Sequence, residues 1–282
     1  MRVAALTMAY NEPVWAPVWA RYYAGQLGAE HCLVLDHGSD DGSTDTLPVP
    51  VRRLPRSPVC EVSRAALVGE EVRRLLQRYD AVIHTDTDEL LVADPARHPT
   101  LAAAVADAPD VTTGAGLDVQ HLPGAEPALD PAQPIGAQRQ WVRFAASMCK
   151  PALVKRPVQW APGFHCCDAP LQFGTLFLLH LRYADLRAGL RRLARTRAQA
   201  VASPAENHHQ RVADAEFEGM MRAIASLPKV DAPLSADAPP LADWLDRVRA
   251  SRREREDQTY KLDLGLSGDV LWRLPDAVRR LF

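Results

Sequence analysis

Three short apolar runs, VAALTM at 3–8, CLVLD at 32–36 and AVIH at 81–84, are separated by two stretches of helical periodicity. Each run has the length of a buried strand. Between the first two, Trp15, Val18, Trp19, Tyr22 and Leu27 recur at three-to-four-residue intervals; between the second and third, Val62, Ala66, Val72, Leu75, Leu76 and Tyr79 do the same. Asn11 is placed to cap the first helix, with Glu12 and Pro13 in its first turn and Gly25 and Gly28 near its end. A short strand over 49–54 precedes the second helix. Strand and helix alternating in this order predict an α/β fold: right-handed crossovers feeding a mostly parallel central sheet, flanked by helices on both faces. Ligands in such sheets gather beyond the carboxyl ends of the strands.

The remaining sequence is less regular. It predicts a helix over 99–108, a strand over 111–119, a Pro-rich loop over 122–134, and strand-like segments at 152–160 and 175–181 that enclose APGFHCCDAP. From Ala184 onward the chain reads as helices rich in Arg and Ala, with Pro233, Pro239 and Pro240 marking a linker before the last of them. Residues 1–182 are therefore expected to form one domain, in halves 1–92 and 93–182, and residues 183–282 a helical C-terminal extension.

A net charge of -2 supplies no basic field for nucleic acid, which is not an expected partner. The opening MRVAALTMAYNEP is interrupted too early for a secretion signal or a membrane span, so a cytoplasmic protein without a transmembrane segment is expected. The five cysteines form no disulfide framework or CxxC pair, and adjacent Cys166 and Cys167 do not predict zinc, because neighbouring side chains rarely converge on one ion.

The three strand ends deliver polar groups to one edge of the sheet: Tyr10 and Asn11 after the first, Asp36 after the second, Thr85 to Glu89 after the third. In HTDTDELL, Asp86 and Asp88 offer hard oxygen ligands for Mg²⁺ or Mn²⁺ with room for a substrate phosphate. A solvated acidic turn is the bland alternative, and Asp36 serves equally well as a cap of its own turn. Arg64 shares its helix with Arg73, Arg74 and Arg78, which read as solvated charges. His180, within LFLLHLRY, reads first as a buried hydrogen-bonded imidazole, and no carboxylate stands at ligand spacing from His208 and His209.

MAYNE at 8–12, VLDHGSDDGST at 34–44, SRAAL at 63–67 and the strand with DTDE at 81–89 together resemble glycosyltransferase family 2 and its relatives of GT-A fold, over roughly residues 1–92. The resemblance makes 1–92 the donor half and 93–182 the acceptor half. It implies that Tyr10 and Asn11 lie along the nucleoside, that Asp36 receives hydrogen bonds from the base, and that Arg64 lies near the nucleotide. Asp86 and Asp88 would contact the ribose and a metal-bound diphosphate. WAPGFH at 160–165 is similar to a later loop of the family, in which His165 would complete the metal site.

The implied reaction is Mn²⁺- or Mg²⁺-assisted transfer from a nucleotide-sugar donor, expected to be UDP-linked, to a glycan, lipid-linked or small-molecule acceptor. An inverting transfer needs a base. Asp168 is the first choice because its loop also bears His165; Asp118 and Glu89 are the others. Two rival readings stand beside this one. DTDEL resembles the DxD of haloacid dehalogenase-type phosphatases, although here it follows the third strand rather than the first, and a domain that binds nucleotide-sugar without turnover would show the same motifs.

Overall fold

The computed structural model describes residues 1–203, 211–230 and 234–282, so His208, His209 and Pro233 lie outside the described residues. The chain opens with β1 (Val3–Ala9), α1 (Trp15–Leu27), β2 (Cys32–Asp36), β3 (Val51–Arg53), α2 (Glu61–Leu75), β4 (Ala81–His84) and β5 (Glu89–Ala93). It continues through α3 (Leu101–Asp107), β6 (Val111–Gln120), α4 (Ile135–Gln138), β7 (Trp141–Phe144), β8 (Pro151–Val154) and β9 (Gln172–His180). Then follow α5 (Leu186–Ala198), α6 (Asp214–Ala225), β10 (Lys229–Val230), α7 (Leu241–Ala250), β11 (Arg253–Glu254), β12 (Tyr260–Lys261), β13 (Leu271–Arg273) and α8 (Asp276–Arg279).

The α/β architecture expected from the strand–helix alternation is the one observed. β3, β2, β1 and β4 lie side by side and parallel, with Ala5 opposite Cys32 and Leu6 opposite His84. The chain leaves β1 through α1 to reach β2, then returns through α2 to β4 on the other side of β1. Right-handed crossovers running in opposite directions place the two helices on opposite faces. α1 packs on β1 and β2, α2 on β1 and β4. Covered on both faces, these strands have no reason to alternate polar with apolar residues: Ala5, Leu6, Val82 and Ile83 are fully buried. α1 adds Trp15, Trp19, Tyr22 and Tyr23 to this core, at about 1.5–3 kcal/mol for a side chain of the size of Phe.

Beyond β4 the sheet becomes mixed. β8 runs antiparallel to β4 and β6, β7 antiparallel to β6, and β9 lies parallel to β6 and antiparallel to β5. β5 and β7 lie outside the expected elements. ELLVA is buried at every position and follows the acidic turn directly, so no polar alternation marks it, and WVRF is four residues long. The C-terminal segment carries the expected helices α5, α6 and α7 but also returns to the sheet, where β13 pairs with β7 and β10 with β13. A division of the chain at residue 182 therefore runs through one hydrogen-bonded sheet.

Asn11 does not cap α1, which begins at Trp15 with no side-chain cap. Its backbone takes φ 48°, a left-handed conformation that Asn tolerates better than most residues. Its amide donates to Asp40 at 2.7 Å and its carbonyl oxygen accepts the Asp40 N–H at 3.0 Å, tying the end of β1 to the loop after β2. No helix among the described residues is long and apolar enough to cross a membrane.

Candidate functional site

The crossovers reverse direction at β1, and the crevice beyond the carboxyl ends of β1 and β4 is where such a reversal leaves room for a ligand. A cavity of about 380 Å³ lies there. β1 leads into it through Met8, Ala9 and Tyr10, the turn after β4 contributes Asp86 and Thr87, and α2 contributes Arg64. The facing wall is α5, from which Arg192 and Arg195 line the same space.

The loop after β2 shapes the rim, and Asp36 holds that loop together. Its carboxylate accepts from the Ser39 N–H at 2.8 Å, from Thr44 Oγ1 at 2.9 Å and from Arg53 Nη1 at 2.9 Å. Burial pushes the carboxyl up, but these donors together hold it below the usual carboxylate range. Asp36 is fully buried and is not part of the cavity lining; His37 beside it is. Arg56 lies 3.6 Å over the Tyr10 ring and 3.0 Å from His37 Nδ1, and Ser57 sits 3.0 Å from His37 Nε2. Gly38, at φ 74°, permits this closure: a Cβ there would stand 2.8 Å from Arg56 Cβ.

The acidic turn is neutralised from within the protein. Asp86 is paired with Arg64 and accepts from Lys150 Nζ at 3.2 Å. Lys150, 3% exposed, also reaches Glu89 at 2.7 Å, and Glu89 accepts the Asp86 N–H at 3.1 Å. Asp88, 1% exposed, has its own partners, Arg192 and His180, with His180 Nε2 at 3.3 Å. On its other side His180 Nδ1 lies 2.9 Å from Asp118, which is paired with Arg143 at 3.2 Å. Strand register makes this row, since β9 sets His180 opposite both Glu89 on β5 and Asp118 on β6.

Burial by itself would neutralise these groups, yet most of them stay charged because partners surround them. Burial raises the Asp86 and Asp88 carboxyls, but Lys150 and Arg64 around the first, and Arg192 and His180 around the second, hold both well below the carboxylate range. Burial lowers the His180 imidazole, but its hydrogen bonds to Asp118 and Asp88 carry it up to about 9, so it is cationic at neutral pH. At Glu89 burial prevails over Lys150 and the carboxyl is raised.

Among the described residues no three His, Cys, Asp or Glu side chains gather as ligands for one ion. Asp86, Asp88 and His165, expected as one metal site, are therefore not one cluster. Each aspartate is committed to two cationic partners, where Mg²⁺ or Mn²⁺ would need carboxylate oxygens directed at the ion. The side chains as placed do not fit a carboxylate-held divalent ion.

His165 is half-buried in the hairpin closed by the Trp160–Cys167 bridge. This hairpin abuts the site through Phe164, whose ring lies 4.4 Å from that of His84 and 5.0 Å from the Arg64 guanidinium. Asp168 stands exposed at its base, outside the cavity lining, where its carboxylate accepts the Gln159 N–H at 2.8 Å.

The structure thus brings Tyr10, Arg64 and Asp86 to one cavity, ties Asn11 and Asp36 to its rim loop, and buries Asp88 behind it. It adds Lys150, Arg192 and Arg195, none of which the motifs point to, and gives Glu12, the last residue of MAYNE, a place in the cavity lining paired with Arg195. Lys150 did leave a signal. The chain has 4 lysines against 29 arginines, and this one lies in the apolar stretch MCKPALV. Arg192 and Arg195 left none, being two of the four arginines in the helix segment LRRLARTRA.

Neither a protein-family model nor a curated protein sequence matches the chain. Parts of solved structures do. Mannose-1-phosphate geranyltransferase from Thermus thermophilus aligns at 15% identity over 51% of this chain and 49% of that one, with a TM-score of 0.30. Glucosyl-3-phosphoglycerate synthase from Mycobacterium tuberculosis, in complex with Mn²⁺, uridine diphosphate and glucosyl-3-phosphoglycerate, aligns at 18% identity over 44% of each chain, with a TM-score of 0.26. S. aureus TarS aligns at 12% identity over 80% of this chain and 44% of that one, with a TM-score of 0.35. The chain spans less than half the length of each of these, and the ligands named for them are properties of those proteins.

Proposed function

We propose that this protein is a glycosyltransferase that moves a sugar from a nucleotide-diphosphate donor, of which a UDP-sugar is the first to test, to an acceptor hydroxyl. The observation that carries the reading is the cavity at the carboxyl ends of β1 and β4, lined by Arg56, Arg64, Arg192 and Arg195. Guanidinium groups present planar sets of N–H donors that match phosphate oxygens. Tyr10, braced by Arg56, offers an aromatic wall for the nucleoside. Asn11 and Asp36 act through the loop they fasten, and in this reading Arg64 serves the nucleotide and Asp86 the ribose and diphosphate.

In the transfer, the acceptor oxygen bonds to the anomeric carbon as the bond from that carbon to the diphosphate breaks. The nucleoside diphosphate leaves with the electron pair, and the acceptor proton passes to a carboxylate. Among the three candidates, Glu89 and Asp118 are buried in ion pairs, whereas Asp168 is exposed and, among the described residues, free of an ion pair with a buried cation. Asp168 is the proposed base. The arginines stabilise the negative charge that grows on the leaving group.

A Mn²⁺ or Mg²⁺ requirement, the family's implication, asks the ion to displace Lys150 and Arg64 from Asp86, or Arg192 and His180 from Asp88. A haloacid dehalogenase-type reaction asks Asp86 to act as nucleophile despite the same two partners.

Incubation with a panel of nucleotide-sugars separates the readings. Release of free nucleoside diphosphate, lost in Arg64→Ala, is the expected outcome. Hydrolysis of phosphomonoesters with intact donor would replace the proposal by the phosphatase reading, and donor binding with no release would replace it by a binding domain.

A further inference from the structure

Each carboxylate at the mouth of the β4 turn already has a cation built into the protein. Lys150 lies between Asp86 and Glu89, at 3.2 Å and 2.7 Å, where a bridging ion would otherwise sit. Arg64 holds the other oxygen of Asp86, and Arg192 and His180 hold Asp88. A divalent cation entering here would meet the charges of Lys150 and Arg64 and would have to break their pairs. Like charges disfavour that exchange.

The same arginines that neutralise the acids also line the cavity. Arg64 comes from α2, and Arg192 and Arg195 stand three residues apart on α5, hence on one face of that helix. A guanidinium has five N–H donors, and a carboxylate partner uses one or two of them. Arg64 shares its donors between Asp86 and Glu61, the latter at 3.4 Å, and the N–H groups left over on the three arginines are available to phosphate oxygens. Asp88 and Glu12, both buried, hold Arg192 and Arg195 in place before a ligand arrives, which lowers the entropy lost on binding.

We infer that Arg64, Arg192 and Arg195 grip the donor's diphosphate directly, so that nucleoside diphosphates bind, and sugar is transferred, without a divalent cation. This inference rests on the nucleotide-sugar reading above. It assigns to α5 a function that no motif marks, and it converts the acidic turn from a metal site into an anchor for cations.

Calorimetry with UDP, GDP, ADP and CDP, in chelator and in Mn²⁺, tests it on the full chain. The expected result is that at least one diphosphate binds in chelator, with an affinity within about threefold of that in Mn²⁺. Arg192→Gln and Arg195→Gln should each weaken this binding by about tenfold or more, as befits a lost hydrogen bond between charged groups. Thermal unfolding checks that the variants are folded, and Arg195→Lys, which keeps the charge but loses the planar fork, should fall between wild type and Arg195→Gln. Binding seen only with Mn²⁺ overturns the inference and leaves the glycosyltransferase reading standing. Binding in neither condition overturns both. Folded arginine variants that bind in chelator as wild type does remove the assignment to α5.

Discussion

The two walls of the cavity are built on different principles. One comes from the ends of β1 and β4, where backbone topology dictates which residues arrive: Tyr10 and Asp86 are at the crevice because their strands end there. The other comes from α5, more than a hundred residues later, and its arginines arrive because one face of a helix packs across that opening. The strand-end wall brings shape and negative charge. The helical wall brings the positive charge that makes those acids stable when buried and leaves the cavity suited to an anion. Neither wall is a binding site alone, since buried carboxylates without their cations would protonate or destabilise the fold.

Breaking the contact between the walls should have the largest effect. Asp88→Asn leaves Arg192 and protonated His180 without their shared anion, and breaking a buried pair of this kind costs about 3–5 kcal/mol. Urea denaturation should show that loss together with collapse of donor turnover; a variant as stable and active as wild type would mean that α5 and the β4 turn are independent. A comparable effect, confined to rate, is expected on the acceptor side. Asp168→Asn should bind donor normally and transfer sugar about a hundred- to ten-thousand-fold more slowly. Should donor affinity fall in proportion to rate, Asp168 belongs to the donor walls instead.

The seam between the walls should also respond to pH. The imidazole of His180 is raised from about 6.5 to about 9, so its stabilising contribution is complete below the free value and disappears as pH climbs through about 9. At 1.36 kcal/mol per pH unit the contribution is on the order of 3 kcal/mol. Wild type should lose stability relative to His180→Gln between about pH 7 and 10, as read by urea midpoints; parallel curves would show that the Asp88–His180–Asp118 row does not hold the proton.

Smaller changes sharpen the role of the first wall. Asp36→Ala removes the acceptor shared by Ser39, Thr44 and Arg53; Arg53 keeps Asp45, but leaving the Ser39 N–H and the buried Thr44 hydroxyl without it should cost about 1–3 kcal/mol. If Asp36 acts through its loop, the variant should weaken binding of purine and pyrimidine diphosphates alike; selective loss of uridine binding would restore it as a reader of the base. The smallest effect is expected at Trp19→Phe, which removes the 2.9 Å bond from the indole N–H to Thr85 Oγ1 beneath the β4 turn. A loss of about 1 kcal/mol in stability with unchanged donor affinity is the expected outcome, and altered affinity would show that the strand-end wall is tuned from its core side.

Much of the first wall was legible in the amino-acid order because its information is local. A doubly covered parallel strand is an unbroken apolar run, a helix between strands carries its 3.6-residue period, and the residues that follow each run must emerge at one edge. CLVLD and AVIH coincide with β2 and β4, and Val3–Ala9 extends VAALTM by one residue. Local pattern could not say what Asn11 would bond to. A helix cap and a tie to Asp40 use the same side chain, and the choice depended on where the loop after β2 returned.

What tertiary structure alone decided is which charges meet. Asp86 and Asp88 stand two residues apart, a spacing equally compatible with one shared ion and with two separate cationic partners. The outcome turned on Lys150, which joins the core between 3₁₀ residues 146–148 and β8, and on α5, whose arginines look in sequence like any solvated helix surface. Electrostatic pairing acts through space between residues far apart in sequence, 104 positions for Asp88 and Arg192 and 183 for Glu12 and Arg195. Periodicity records which face of an element is buried, but not which opposite charge it will find there.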